Sequence, residues 1–408
     1  LANRDPHMYY ALLSDFTDAK EERLPEDDAV VQAARAKIAE LNKQYNASGG
    51  RFFLFQRKRR WNPAENVWMG WERKRGKLVE FVEWLRGSKE TSYDVVEGPV
   101  EELPLIRYLI TLDADTQLPS GAAQRMVATM HLPYNRPRLN EKRTRVVEGY
   151  GVLQPRIQTS YLSATNTRFS ALWSGDPGLD PYAFAVSDPY QDGVGEAIFV
   201  GKGIFDVDVF AEVLCDRIPE NRVLSHDLLE GGFMRAGLLS DIELLDEQPA
   251  TFYSFQKRLH RWVRGDWQLL AWLFPRARDR KGTLAPVDLS PIHRWQMVDN
   301  LRRSLMPPAL LIIFLLGMTV LPGASWRWQL LVVATAFLPV LRQCFSIRHL
   351  WENPRSLATV GGQSFLMFAV LPFQAVLLVD AIVTAIYRLF ISKRRLLEWV
   401  SAAAVERQ

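Results

Sequence analysis

The chain has 408 residues, enough for two domains of ordinary size, and its 24% charged and 11% aromatic residues suit a globular protein with a large core. A net charge of +4 does not by itself call for nucleic acid, and two distant cysteines, Cys215 and Cys344, exclude a disulfide framework and a cysteine metal site. Hydropathy is uneven: 304–326 and 356–379 contain no charged residue, and each run is long enough to span a bilayer. A shorter apolar run, 328–341, suits a tilted, re-entrant or interfacial segment. The pattern predicts a soluble domain over 1–291 and an amphipathic interfacial helix over 292–303. Two or three transmembrane helices follow over 304–391, then a basic segment over 392–408. Leu1 is no initiator Met and no signal peptide follows, as expected of a piece cut from a longer chain.

In chain order, Tyr9-Tyr-Ala-Leu-Leu reads as a strand that runs into the acidic turn Ser14-Asp15-Phe16-Thr17-Asp18. Asp27 or Asp28 can cap a helix whose apolar stripe is Val31, Ala34, Ile38, Leu41 and Tyr45. Residues 52–55 read as a strand. A basic stretch follows, Arg57-Lys-Arg-Arg60 and then Trp68-Met-Gly-Trp-Glu-Arg-Lys-Arg-Gly-Lys77-Leu78. Such a run can be a solvated face or a nucleic-acid patch. Here a helix is expected from Lys77, with Leu78, Phe81, Val82 and Leu85 on one side, and glycine with basic residues at a helix start suits an anionic ligand.

Tyr108-Leu-Ile-Thr-Leu reads as a buried strand that ends in Asp113-Ala-Asp115. In open α/β sheets ligands bind at the carboxyl ends of strands. Two carboxylates there repel each other unless a cation lies between them, and Mg²⁺ or Mn²⁺ on a substrate diphosphate meets that need. Ser120 is expected to cap a helix with Ala122, Met126 and Met130 inside, and 146–154 reads as another strand. Strand and helix alternate, which argues a layered α/β domain.

Gly195-Glu196-Ala-Ile-Phe-Val-Gly201-Lys-Gly203 is not a P-loop; its glycines suit either a close backbone approach to a ligand or a plain turn. Ser225-His226-Asp227 precedes an apolar helical run. It reads either as a helix cap or as a carboxylate poised as a general base. Arg258 and Arg261 fall on one helical face beside Trp262, a set that suits phosphate oxygens and a sugar ring.

In this order the motifs resemble the family 2-like processive glycosyltransferases of GT-A fold, the group of cellulose and hyaluronan synthases. The resemblance rests on Ser14-Asp15, Lys74-Arg-Gly-Lys77-Leu78, Asp113-x-Asp115, Gln154-Pro155, Phe199-Val-Gly201, Ser225-His-Asp227 and Arg258-x-x-Arg261-Trp262. One departure is Arg258, where the group usually has glutamine. The match is closer to the cyclic β-1,2-glucan synthases (glycosyltransferase family 84). It is carried by Trp68 to Leu78, Tyr190-Gln-Asp, Leu224-Ser-His-Asp-Leu-Leu-Glu-Gly231 and Arg261-Trp-Val-Arg-Gly-Asp-Trp-Gln268.

The resemblance implies a GT-A domain followed by membrane helices, on the cytoplasmic face of a bacterial inner membrane. It implies UDP-glucose as donor, a glucan acceptor, and a phosphorylase-like glycoside domain elsewhere in the parent chain. Asp15 and Asp113 would contact the uridine or ribose, with Lys77 also on the donor side, and Asp115 would ligate the metal. Asp227 would be the general base, and Arg258 and Arg261 would hold the diphosphate. Trp262, Gly201 and Glu196 would belong to the acceptor side. Competing expectations are transfer to a lipid carrier or into another polysaccharide, and a membrane scaffold without catalysis. Nucleic-acid binding rests on the basic stretch alone and is not expected.

Overall fold

The computed structural model describes residues 3, 5–45, 51–173, 188–345 and 354–399. Strand β1 (Tyr10–Asp15) pairs in parallel with β2 (Phe52–Arg57), which pairs antiparallel with β3 (Tyr93–Glu97). All six residues of β2 are buried, as expected where both faces of a strand are covered. Helix α1 (Asp27–Tyr45) covers one face through Ile38 against Phe52 and Leu54. Helix α2 (Arg73–Leu85) covers the other through Phe81, whose ring meets Phe55 edge-on at 4.9 Å. This helix starts at Arg73, four residues before the expected Lys77, and so carries Lys74 and Lys77 on one face.

The second sheet has the order β7-β5-β6-β4, built from β4 (Tyr108–Thr111), β5 (Val152–Thr159), β6 (Gly203–Asp206) and β7 (Ala236–Asp246). Strands β5 and β7 are parallel, and β6 runs antiparallel to both neighbours. Gly203 pairs with Thr111, so the chain entering β6 lies beside the carboxyl end of β4. Helix α3 (Ala122–His131) seats Met126 and Met130 against Leu153, Ile204 and Leu239. Gly121, not Ser120, precedes this helix, and no side chain caps it. The strand expected over 146–154 is two strands, broken at Gly149, which has φ +64° and stands against the Arg136 carbonyl.

Helix α4 (Asp227–Met234) packs Leu229 and Phe233 into the main core with Phe205 and Phe210. Helix α5 (Phe252–Gln268) is capped by a Thr251–Ser254 box. Its Leu259 and Val263 lie against Leu378, Ala381 and Ile382 of α7 (Leu371–Tyr387). Helix α6 (Pro291–Thr319) is one element. The stretch 292–303, expected to lie at a membrane surface, is its first half, with His293, Gln296, Asp299 and Asn300 buried. The burial follows from packing against the α/β domain: Gly232 of α4 abuts the His293 ring, and Trp267 Nε1 of α5 donates to Ser304 Oγ at 3.0 Å.

Two helices, Pro291–Thr319 and Leu371–Ser392, are long and apolar enough to cross a membrane, by length and composition alone. The expected span 356–379 is divided at Val370 between Pro354–Ala369 and α7. Pro372, near the start of α7, has no amide hydrogen to carry a continuous helix. The run 328–341 is divided between Ser325–Ala336 and Leu338–Phe345. After α7, residues 393–399 fold back as a strap, while 400–408 of the expected basic segment lie outside the described residues. Leu396 and Leu397 are buried, and the Leu397 amide donates to Glu65 Oε1 at 2.9 Å.

Candidate active site

The turn after β4 presents the first two acids. The Thr116 hydroxyl donates to Asp246 Oδ1 at 2.6 Å, and Gln117 bridges to Leu245, so the turn is pinned to the end of β7. Asp113 is held by two lysines: Lys74 Nζ of α2 lies 2.6 Å from Oδ1 and Lys202 Nζ lies 3.4 Å from Oδ2. Lys202 also pairs with Asp246. Burial opposes ionisation of Asp113, but Lys74 and Lys202 outweigh it and hold its carboxyl below the usual carboxylate range. Burial likewise works against the Lys74 charge, and Asp227 and Asp113 outweigh that, so its pKa is raised. Lysine ammonium groups from α2 and from the lead into β6 thus neutralise Asp113, the first of the two acids.

Lys74 Nζ also donates to the Gly201 carbonyl at 3.0 Å, which ties this centre to Asp227. Gly201 has φ +86°, and a Cβ there would stand 2.5 Å from Asp227 Oδ1. The close approach expected at this glycine is therefore made to a side chain of the protein. Asp227 is the first residue of α4 and His226 precedes it; no side chain caps the helix, so the capping role is not taken up. Asp227 Oδ1 is buried and makes no hydrogen bond among the described residues, while 27% of the side chain remains exposed. The exposed part of the side chain lies away from Oδ1, so it is the Oδ2 side of the carboxylate that can accept a proton from a bound hydroxyl.

Asp15 forms a second centre at the end of β1. The guanidinium of Arg57, itself fully buried, reaches it with Nε at 2.6 Å and Nη2 at 3.1 Å, and Lys77 Nζ lies 3.2 Å away. Arg57 also pairs with Glu80 at 2.9 Å and donates to the carbonyls of Trp71 and Arg73. Gly70 fits against the Asp15 carboxylate, where a Cβ would lie 2.8 Å from Cγ. Much of the hydrogen-bonding capacity of Asp15 is thus used internally. Arg59 is buried as well and pairs with Asp27 at 2.5 Å, so half of the basic run 57–60 is core structure rather than a solvated face.

Asp115 is exposed and contributes to the field on Arg261. An exposed carboxylate at a strand end, beside an arginine, fits a hard divalent ion that takes its other ligands from phosphate and water. His226, Asp227 and Glu230 also bring ligand atoms within 4.8 Å of one another. That cluster already holds cations of its own, since His226 Nδ1 lies 2.8 Å from Glu230 Oε1 and Lys74 adds its charge, so we do not assign it to metal.

The remaining expected residues are arranged around these centres. Burial lowers the Arg261 pKa despite nearby Asp115 and Asp113, and its guanidinium lies 5.6 Å from the Trp399 ring of the strap. Arg258 stacks on Trp262 at 4.7 Å and donates to Gln248. Glu196 accepts from Ser290 Oγ at 2.6 Å, at the start of α6, and faces Arg235 at 3.9 Å. Sequence reasoning gave no role to Lys74, Lys202, Asp246, His226 or Glu230, although all but Asp246 stand in motifs it quoted. The i,i+3 spacing of Lys74 and Lys77 and the i,i+4 spacing of His226 and Glu230 were readable signals. Lys202 meets Asp113, and Asp246 meets Lys202, only through strand register, and neither had such a signal.

The fold and site define a mixed α/β protein with a lysine-bridged acidic centre beside two apolar helices. No protein-family model matches the chain. It is 40% identical over 420 aligned positions to the cyclic beta-(1,2)-glucan synthase NdvB of Rhizobium meliloti (strain 1021). The alignment takes in 100% of this chain and 14% of that protein. Over its whole length the chain is similar to one segment of that synthase, which supports a fragment of such a synthase.

Proposed function

We propose that this segment is the glucosyl-transferring part of a membrane-bound glucan synthase, inverting at the anomeric carbon, with UDP-glucose as donor and a β-1,2-glucan as product. The observation that carries the reading is the convergence of Asp113, Lys74, Gly201 and Asp227 at the carboxyl end of β4. The similarity to a cyclic glucan synthase along the whole chain supports it. The parallel strands with one antiparallel member are compatible with a GT-A fold.

In this reading Asp227 takes the proton of the acceptor hydroxyl as that oxygen attacks the face of the anomeric carbon opposite the diphosphate. The O–H bond breaks, a glycosidic bond forms, and the bond to the diphosphate breaks in one displacement. Asp227 must be ionised to act, and the ammonium of Lys74 stands near it. Arg261 and Arg258 steady the charge that develops on the leaving diphosphate. Lys77 and Asp15 serve the nucleotide end, with Arg57 holding Asp15 in place. Asp115 would hold Mg²⁺ or Mn²⁺, which neutralises diphosphate charge. Holding both sugars makes the step nearly unimolecular. The two apolar helices would anchor the segment in a bacterial inner membrane with the site facing the cytoplasm.

The test uses the whole synthase in membranes with UDP-glucose and Mg²⁺ or Mn²⁺, following UDP release and product linkage. Asp115→Ala and Asp227→Asn should each abolish metal-dependent synthesis. Wild-type rates in Asp227→Asn would remove the base assignment. Lipid-extractable or differently linked product would favour another transferase, and failure to release UDP from any sugar nucleotide would favour a scaffold.

A further inference from the structure

His226 is the titratable group that the proposed chemistry leaves without a task. It is 3% exposed, at the start of α4 and next to the residue assigned as base. Its Nδ1 lies 2.8 Å from Glu230 Oε1, one helical turn on, and 3.6 Å from Asp227 Oδ1. Glu230 is equally buried, and a buried carboxylate needs a partner. The same ring edge that satisfies Glu230 therefore faces the oxygen of Asp227 that no hydrogen bond claims. Across the gap, Gly201 packs against the Asp227 carboxylate and leaves it no room on that side.

The geometry points to His226 as a positioning residue: clamped by Glu230, its imidazolium fixes the carboxylate of Asp227 and maintains its charge for proton abstraction. The inference rests on the reading of Asp227 as the general base. Charge arrangement supports it independently of that reading. Lys74, the ammonium facing this cluster from α2, bonds Asp113 at 2.6 Å while its charge also acts on Asp227 and Glu230, and the imidazolium adds a second positive charge beside those two carboxylates. Burial alone would lower the His226 pKa, and Lys74 acts in the same sense; Glu230 and Asp227 outweigh both, so the net direction is upward. The ring is too deep to touch substrate, and its effect passes through Asp227.

The test is the pH profile of kcat/KM for UDP release by the whole synthase, for wild type, His226→Gln and Glu230→Gln, with Asp227→Asn alongside. Glutamine keeps a hydrogen-bonding group near the ring position but carries no charge. His226→Gln should move the acid limb to higher pH by about one unit, as expected for removing an adjacent opposite charge. Activity above that limb should recover to within a few-fold of wild type, with KM for the sugar nucleotide unchanged. Glu230→Gln should move the acid limb in the same direction by less, because the ring then holds its proton less firmly. A uniform loss at every pH with both limbs unmoved would reduce His226 to a structural group and overturn the proposal. So would a wild-type profile in His226→Gln. If Asp227→Asn is active, the base assignment itself fails and the positioning role goes with it; if it is inactive while the limbs stay put, the positioning role alone fails.

Discussion

Gly201→Ala is the most exacting probe of the site, because two separable costs meet at one atom. The backbone there has φ +86°, where a side chain is disfavoured by about 1–2 kcal/mol. The new methyl would also stand 2.5 Å from Asp227 Oδ1, and ordinary contact begins near 3.4 Å, so the carboxylate must retreat by about 0.9 Å. A displacement of about 1 Å at a reacting group costs on the order of 100-fold in rate. Gly121→Ala isolates the first cost, since Gly121 has φ +74° with nothing within 4 Å of the added carbon. Both variants should lose thermal stability, Gly201→Ala by more because it also carries the clash. Only Gly201→Ala should lose kcat for UDP release, by about 100-fold, with KM for the donor little changed. Equal kcat in the two alanine variants would refute the claim that Gly201 sets the position of Asp227.

Three further outcomes follow from the ion pairs and the strap. Arg57→Met strips both Asp15 and Glu80 of their buried partner, and a broken buried pair costs about 3–5 kcal/mol, so folded protein resistant to protease should be largely lost. Asp15 is destabilised as an anion by burial, but Arg57 more than compensates and its folded pKa is lowered below the ordinary 3.8. Its contribution to stability is therefore full above that value and lost as pH falls through the folded pKa; acid unfolding of wild type and Asp15→Asn should converge there and diverge above it. Leu397→Ala empties a fully buried site under the strap, at a cost of about 2–5 kcal/mol if local repacking is small. Trypsin should then cut at the exposed Arg394 and Arg395 faster than in wild type.

Elements whose signal is local were legible in the sequence. The run Phe52-Phe-Leu-Phe55 is a buried strand, and a strand does precede Asp113, although Tyr108–Thr111 is largely half-buried rather than buried and Leu112 lies beyond it, exposed. What escaped depends on distant partners. Arg57 and Arg59 read as part of a basic face because Asp15 and Asp27, their partners, lie 42 and 32 residues away. The placement of Glu196 near α6 and of Lys202 beside Asp113 depends on register and packing that no spacing rule encodes. Apolar length also overstated continuity: 356–379 is one uncharged run, yet the fold divides it at Val370.

These buried charges bear on why the site has the form it has. Burying ion pairs yields little net stability compared with apolar residues of the same volume, so stability alone is a weak reason for a fully buried Arg57 or for Lys74 between Asp113 and Asp227. Their geometry offers a stronger one. Helix α2 donates through Lys77 to Asp15 and through Lys74 to Asp113, so one rigid element sets the spacing between the two acidic centres. Lys74 then reaches the Gly201 carbonyl, and Gly201 bears on Asp227. A shift of α2 along its axis would disturb Asp15, Asp113 and Asp227 together. On this argument Phe81, which seats α2 on Phe53 and Phe55, is as much a determinant of catalytic geometry as the acids themselves.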